Sequence, residues 1–95
     1  MTGSAEDQDP QAETLRRLRW HCRRGMLELD HLLLRFLELG YPQLDRAAQA
    51  DFVRLLESQD QDLQRWVLGR EEPPDPTLAE LVRRIVAVAG HYRGG

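Results

Sequence analysis

The sequence predicts an all-α protein, a small bundle of about five helices. Two observations carry that prediction: apolar residues recur at three- and four-residue spacing in five separate windows, and no segment alternates apolar with polar residues as a strand does. Length is the third, because 95 residues fit one domain around one small core.

Residues 1–11 hold Gly3, Ser4, the acids Glu6, Asp7 and Asp9, and Pro10, with almost no apolar side chains. They read as a disordered acidic tail. A single helical domain is expected over residues 12–91, with a frayed C-terminus at 92–95. From Ala12 to Arg24, Leu15, Leu18 and Cys22 form one narrow apolar stripe among arginines, the mark of a first helix packed by one edge. Gly25 interrupts it and suits a left-handed turn. From Met26 to Leu39, nine apolar residues cover well over half of the helix surface, so this second helix is expected at the centre. Its polar strip is Glu28, His31, Arg35 and Glu38. Gly40, Tyr41 and Pro42 end it.

Asp45 is the expected N-cap of a third helix carrying Ala48, Phe52, Leu55 and Leu56 on one face. Ser58 and Gln61 make a capping-box pattern for a short fourth helix with Leu63, Trp66 and Val67 inward, stopped by Gly69. After the stiff Pro73–Pro76 connector, Thr77 and Glu80 repeat the box. Leu78, Leu81, Val82, Ile85, Val88 and Ala89 then define a fifth helix ending near Gly90.

Composition narrows the function. Sixteen acids against thirteen bases, all of them arginine, give a net charge of −3, which does not suit general binding to phosphate backbones or anionic membranes. One cysteine, Cys22, forms no internal disulfide and no cysteine-rich zinc site. No apolar run is long enough to span a bilayer, and the opening residues lack both a signal h-region and the acid-poor, arginine-rich character of a mitochondrial leader. A bacterial cytoplasmic protein is the expectation. A chain this small works by its surface more readily than by an enclosed cavity. No dinucleotide, phosphate-loop, zinc-protease or nucleophile-elbow motif is present. The three histidines, His21, His31 and His91, are far apart in sequence. No catalytic residue, cofactor or metal is assigned, and the chain is not expected to be an enzyme.

The densest stretch is Trp20 to Asp30. Trp20 lies about 140° from Leu15 on a helical wheel, away from the core stripe. It is therefore either a boundary tryptophan packed on another helix or an exposed interface anchor beside Arg23. Arg24, Gly25 and Glu28 straddle the junction of the first two helices. They read either as a polar recognition patch, or as a solvated arginine, a helix stop and a carboxylate at the positive end of a helix dipole. Asp30 falls in the apolar arc and needs a partner such as an arginine or a helix N-terminus; structural pairing is its default role and binding its second. The cluster Arg16, Arg17, Arg19, Arg23 and Arg24 beside Trp20 supports an alternative, an antitoxin-like or nucleic-acid-associated regulatory module. The net acidity and the flanking acids argue against it.

The run W-x-C-R-R-G-M-L-E-L-D at Trp20 to Asp30 resembles the hallmark of the SdhE-type succinate dehydrogenase assembly factors, whose signature is R-G-x-x-E. The second block, F-x-x-L-L-E-x-x-D-x-D-L-x-x-W at Phe52 to Trp66, and the Pro-Asp before the last helix resemble that family too. The resemblance covers about Leu15 to Arg84. It implies a five-helix protein that binds the flavoprotein subunit of succinate dehydrogenase or fumarate reductase and promotes covalent attachment of FAD. Arg24, Gly25 and Glu28 would then be the functional motif, with Asp30 beside it and Trp20 and Arg23 in the same partner-binding surface.

Overall fold

The computed structural model describes residues 10–69 and 71–90, and the described residues are helical, with no strand among them. Helix α1 spans Pro10–His21, α2 Leu27–Leu39, α3 Arg46–Leu56, α4 Asp60–Leu63 and α5 Pro76–Gly90. A single 3₁₀ turn, Tyr41–Gln43, joins α2 to α3, and α4 continues into one π-helical turn, Gln64–Leu68. The acidic stretch 1–9, His91 and the expected frayed end at 92–95 lie outside the described residues.

The core forms where the apolar stripes meet. Leu18 of α1, Cys22 just past its end, Leu29, Leu33, Phe36 and Leu37 of α2, Phe52, Leu55 and Leu56 of α3, and Leu81, Val82 and Ile85 of α5 are all buried. Leu63, Trp66 and Val67 close it from the α4 side. The rings of Phe36 and Tyr41 both tilt against Phe52, with centroids 5.5 and 5.6 Å away. Tilted ring pairs at that spacing add to the burial they share. As the surface count predicts, α2 packs against α1, the 3₁₀ turn and α5.

Four boundaries differ from the sequence reading, three of them because a side chain takes a backbone group at the helix end. Helix α1 already includes Pro10 and stops at His21 rather than Arg24. It stops because the N–H groups of Arg24 and Gly25 donate to the carboxylate of Asp30 instead of continuing the helical ladder. Helix α4 starts after Gln59, which makes no side-chain cap, and the Ser58 box does not form. The Ser58 carbonyl is taken by Arg24. Helix α5 begins at Pro76, not Thr77, because the Asp75 carboxylate accepts from the Thr77 N–H at 2.8 Å and caps the helix there. Asp45 caps α3 as expected, accepting from the Ala48 N–H at 2.8 Å.

Not every apolar residue of α2 is inside. Leu27 is 85% exposed and Leu39 38%. Leu27 shares a face with His31 and Leu34, three and four residues apart. Leu34 packs on the core, whereas Leu27 sits one helical repeat earlier, where α1 has already ended.

Candidate functional site

Five residues separate the last residue of α1 from the first of α2, and the turn they make is fixed by two charged side chains. Gly25 takes φ +82°, a left-handed conformation open to glycine without steric cost. A Cβ built on it meets nothing within 4 Å, so the backbone angle, not crowding, requires glycine.

Asp30, in the first turn of α2, reaches back over the turn. Its Oδ1 accepts from the Arg24 N–H at 2.9 Å and its Oδ2 from the Gly25 N–H at 3.0 Å. One half-buried carboxylate thus satisfies two backbone donors that no longer belong to a helix. Structural pairing was the default expectation for Asp30. The partner is the backbone of the turn rather than an arginine side chain.

Arg24 ties the same turn to the opposite corner of the bundle. Its Nε donates to the His21 carbonyl at 2.9 Å, Nη1 to the Ser58 carbonyl at 3.1 Å and to Asp60 Oδ1 at 2.9 Å, and Nη2 to the Leu56 carbonyl. Four of the five guanidinium donors are used within the chain. The side chain is 14% exposed, so Arg24 is not solvated, and its fork points inward. The carbonyls it meets lie at or just past the C-terminal ends of α1 and α3, where helical acceptors have no intrahelical donor.

What the turn offers outward is different. Glu28 stands exposed in the first turn of α2, with no hydrogen-bond or ion-pair partner among the described residues. Trp20 is 67% exposed, and the Arg23 guanidinium lies over its ring at 5.5 Å from the centroid. That pairing holds the indole in a defined orientation by cation–π attraction. The packed-boundary reading of Trp20 is therefore overturned: the indole is exposed and no helix covers it. Trp20, Arg23, Gly25, Leu27 and Glu28 line the outside of one junction, while Arg24 and Asp30 hold it from within. Leu27 was absent from the residues singled out in the sequence; its signal is its place as the second variable position of R-G-x-x-E. Asp60 enters the sequence reading only as the first aspartate of the Phe52 to Trp66 block, and the sequence gives no cue to its pairing with Arg24.

Cys22, at the end of α1, is fully buried. Burial pushes its thiol up to about 12; Arg24 and Arg19 draw it down by less, and Asp30 adds to the rise. Such a thiol has almost no thiolate at neutral pH and is chemically inert. Alkylating reagents at pH 8 should leave Cys22 unmodified in the folded protein and label it fully in denaturant. Because the folded thiol holds its proton to a higher pH than the unfolded one, this contribution to stability is complete below about pH 9 and is lost as pH rises toward about 12.

Among the described residues, no three His, Cys, Asp or Glu side chains gather as a metal-binding group, and no helix is long and apolar enough to cross a membrane.

A family model described as "Flavinator of succinate dehydrogenase" matches residues 16–89, which include the whole junction and the α3–α4 corner that Arg24 grips. The chain is similar to the FAD assembly factor SdhE of Pseudomonas aeruginosa, with 53% identity over 72 residues, 76% of this chain and 86% of that one. It is 47% identical over 76 residues to the FAD assembly factor SdhE of Vibrio cholerae, 80% of this chain and 88% of that one. For the Shewanella oneidensis protein of the same name, the identity is 46% over 69 residues, covering 73% and 84% of the two chains. With most of its helical domain matched, the chain belongs to the Sdh5 family, the flavinators of succinate dehydrogenase.

Proposed function

We propose that this chain is a bacterial cytoplasmic assembly factor that binds the flavoprotein subunit of succinate dehydrogenase, or of the related fumarate reductase, and promotes covalent attachment of FAD to it. The observation that carries this reading is the division of labour at the α1–α2 junction. A bundle of this size has no structural use for a solvent-facing tryptophan and leucine beside an unpaired carboxylate, yet two buried-side charged groups hold that surface in one conformation. Exposed aromatic and apolar side chains on a rigid frame are what a protein-binding hot spot requires. Family membership names the kind of partner.

The chain acts as a holding factor and not as an enzyme. The bond to flavin is made on a client side chain, and this protein keeps the client in a conformation that aligns that side chain with the isoalloxazine; alignment alone lowers such a barrier by several kcal/mol. No nucleophile with an orienting base is assembled at the junction: Cys22 is buried and protonated, and Asp30 is occupied by two N–H groups. Deleting the gene from its host should lower the covalent flavin of the succinate dehydrogenase flavoprotein, read as in-gel flavin fluorescence. Unchanged fluorescence would refute the proposal.

A further inference from the structure

Beside the junction, an open groove of about 420 Å³ runs between α1 and α2. Its floor is apolar, formed by Leu15 of α1, Leu34 and Leu37 of α2, and Pro42. Arginine dominates its rim: Arg19 and Arg23 stand on one side, Arg35 beside His31 on the other, and Glu38 is the single acid. Arg19 and Arg23 have no carboxylate partner among the described residues. In a chain whose net charge is −3, Arg19 and Arg23 thus bring uncompensated positive charge to the edge of a partly buried apolar floor.

We infer that the groove is a second docking site, for an acidic segment of the flavoprotein client that also carries apolar side chains, an inference that rests on the function proposed above. Three features select this occupant. The rim favours carboxylates, and arginine forks bind them in pairs. The leucine floor calls for apolar groups between those carboxylates; a phosphate backbone would leave it uncovered. Residues 1–9 of the chain itself bring Glu6, Asp7 and Asp9 but only Met1 and Ala5 to meet the floor. Third, the groove is continuous with the junction: Arg23 forms part of its rim and also stacks on Trp20, so a client seated on Trp20 passes directly over it.

Rim charges act mainly on association, by steering, and groups desolvated at a contact act mainly on dissociation. The test is therefore the binding kinetics of the full-length chain with the purified flavoprotein subunit, at low and at high salt. Arg19→Glu/His31→Glu places two carboxylates on the rim at exposed positions. It should slow association about tenfold at low salt, with the deficit closing at high salt, while the melting temperature stays that of the native chain. Equal association rates for the variant and the native chain would overturn the groove proposal, and Glu28→Ala then decides whether the junction reading survives: weakened binding keeps it, whereas intact binding removes both. Neutralising residues 6, 7 and 9 to Gln, Asn and Asn should leave association unchanged. If that neutralisation speeds association and the Arg19→Glu/His31→Glu effect disappears with it, the chain's own acidic segment is the occupant and the proposal falls. It falls equally if sedimentation shows the native chain self-associating through this face and the rim variant monomeric.

Discussion

Arg24→Ala should lower folding stability by about 2–4 kcal/mol, because four hydrogen bonds from one guanidinium vanish together and three backbone carbonyls lose their donor. The loss does not come chiefly from the ion pair. Asp60 is 47% exposed, so its attraction to Arg24 is screened and contributes little alone. Most of the effect lies in the half-buried Leu56 and Ser58 carbonyls at the end of α3 and in the severed link between the junction and that corner. For a domain of this length the melting temperature should fall by about 10–20 °C. Asp60→Asn should cost under about 1 kcal/mol. Arg24→Lys should recover less than half of the loss, since a single ammonium cannot reach His21, Leu56 and Ser58 in one fork. Thermal and urea unfolding of the three variants measures all of this; a native midpoint for Arg24→Ala would show that the junction is held in some other way.

Glu28→Ala should separate binding from folding. The carboxylate is exposed and unpartnered within the described chain, and its only internal role is a favourable position near the N-terminus of α2, a contribution of about 1 kcal/mol at most. If a client covers it, the charge is desolvated and paired there, and its removal should weaken binding by about 2 kcal/mol or more, about thirtyfold in Kd. The expected result is near-native melting with affinity for the flavoprotein subunit strongly reduced, measured by titration calorimetry. Loss of affinity in step with loss of stability would reduce Glu28 to a helix-dipole partner.

Much of the fold was legible because its signals are periodic and local. The stripes of α1, α3 and α5 depend on residues three or four apart, and Asp45 caps the helix that follows it, so the sequence neighbourhood holds all the information. Two of the misplaced ends, the stop of α1 and the start of α4, have one cause in common. Arg24 and Asp30 take backbone groups that local rules assign to helix continuation or to a Ser58 cap, and Arg24 does so across 32 and 34 positions. No window of sequence contains it. At the junction, the residue types were legible and their directions were not: the R-G-x-x-E resemblance drew attention to Arg24, yet its fork faces inward, while Leu27 faces outward because α1 ends before it can cover that part of α2. Trp20 was ambiguous for the same reason, since a helical wheel shows which way a side chain leaves its own helix but not whether another helix waits there.

The central claim is that the exposed side chains of the α1–α2 junction serve to bind a partner and contribute little to holding the bundle together. Trp20 and Leu27 test it most directly, because at 67% and 85% exposure their truncation removes no core contact. The decisive measurement is the affinity of a Trp20→Ala/Leu27→Ser double variant for the purified succinate dehydrogenase flavoprotein subunit, alongside its melting temperature. The account predicts a native melting temperature and affinity reduced at least about a hundredfold, as for the loss of two anchors at a protein contact; native affinity in the double variant would contradict it.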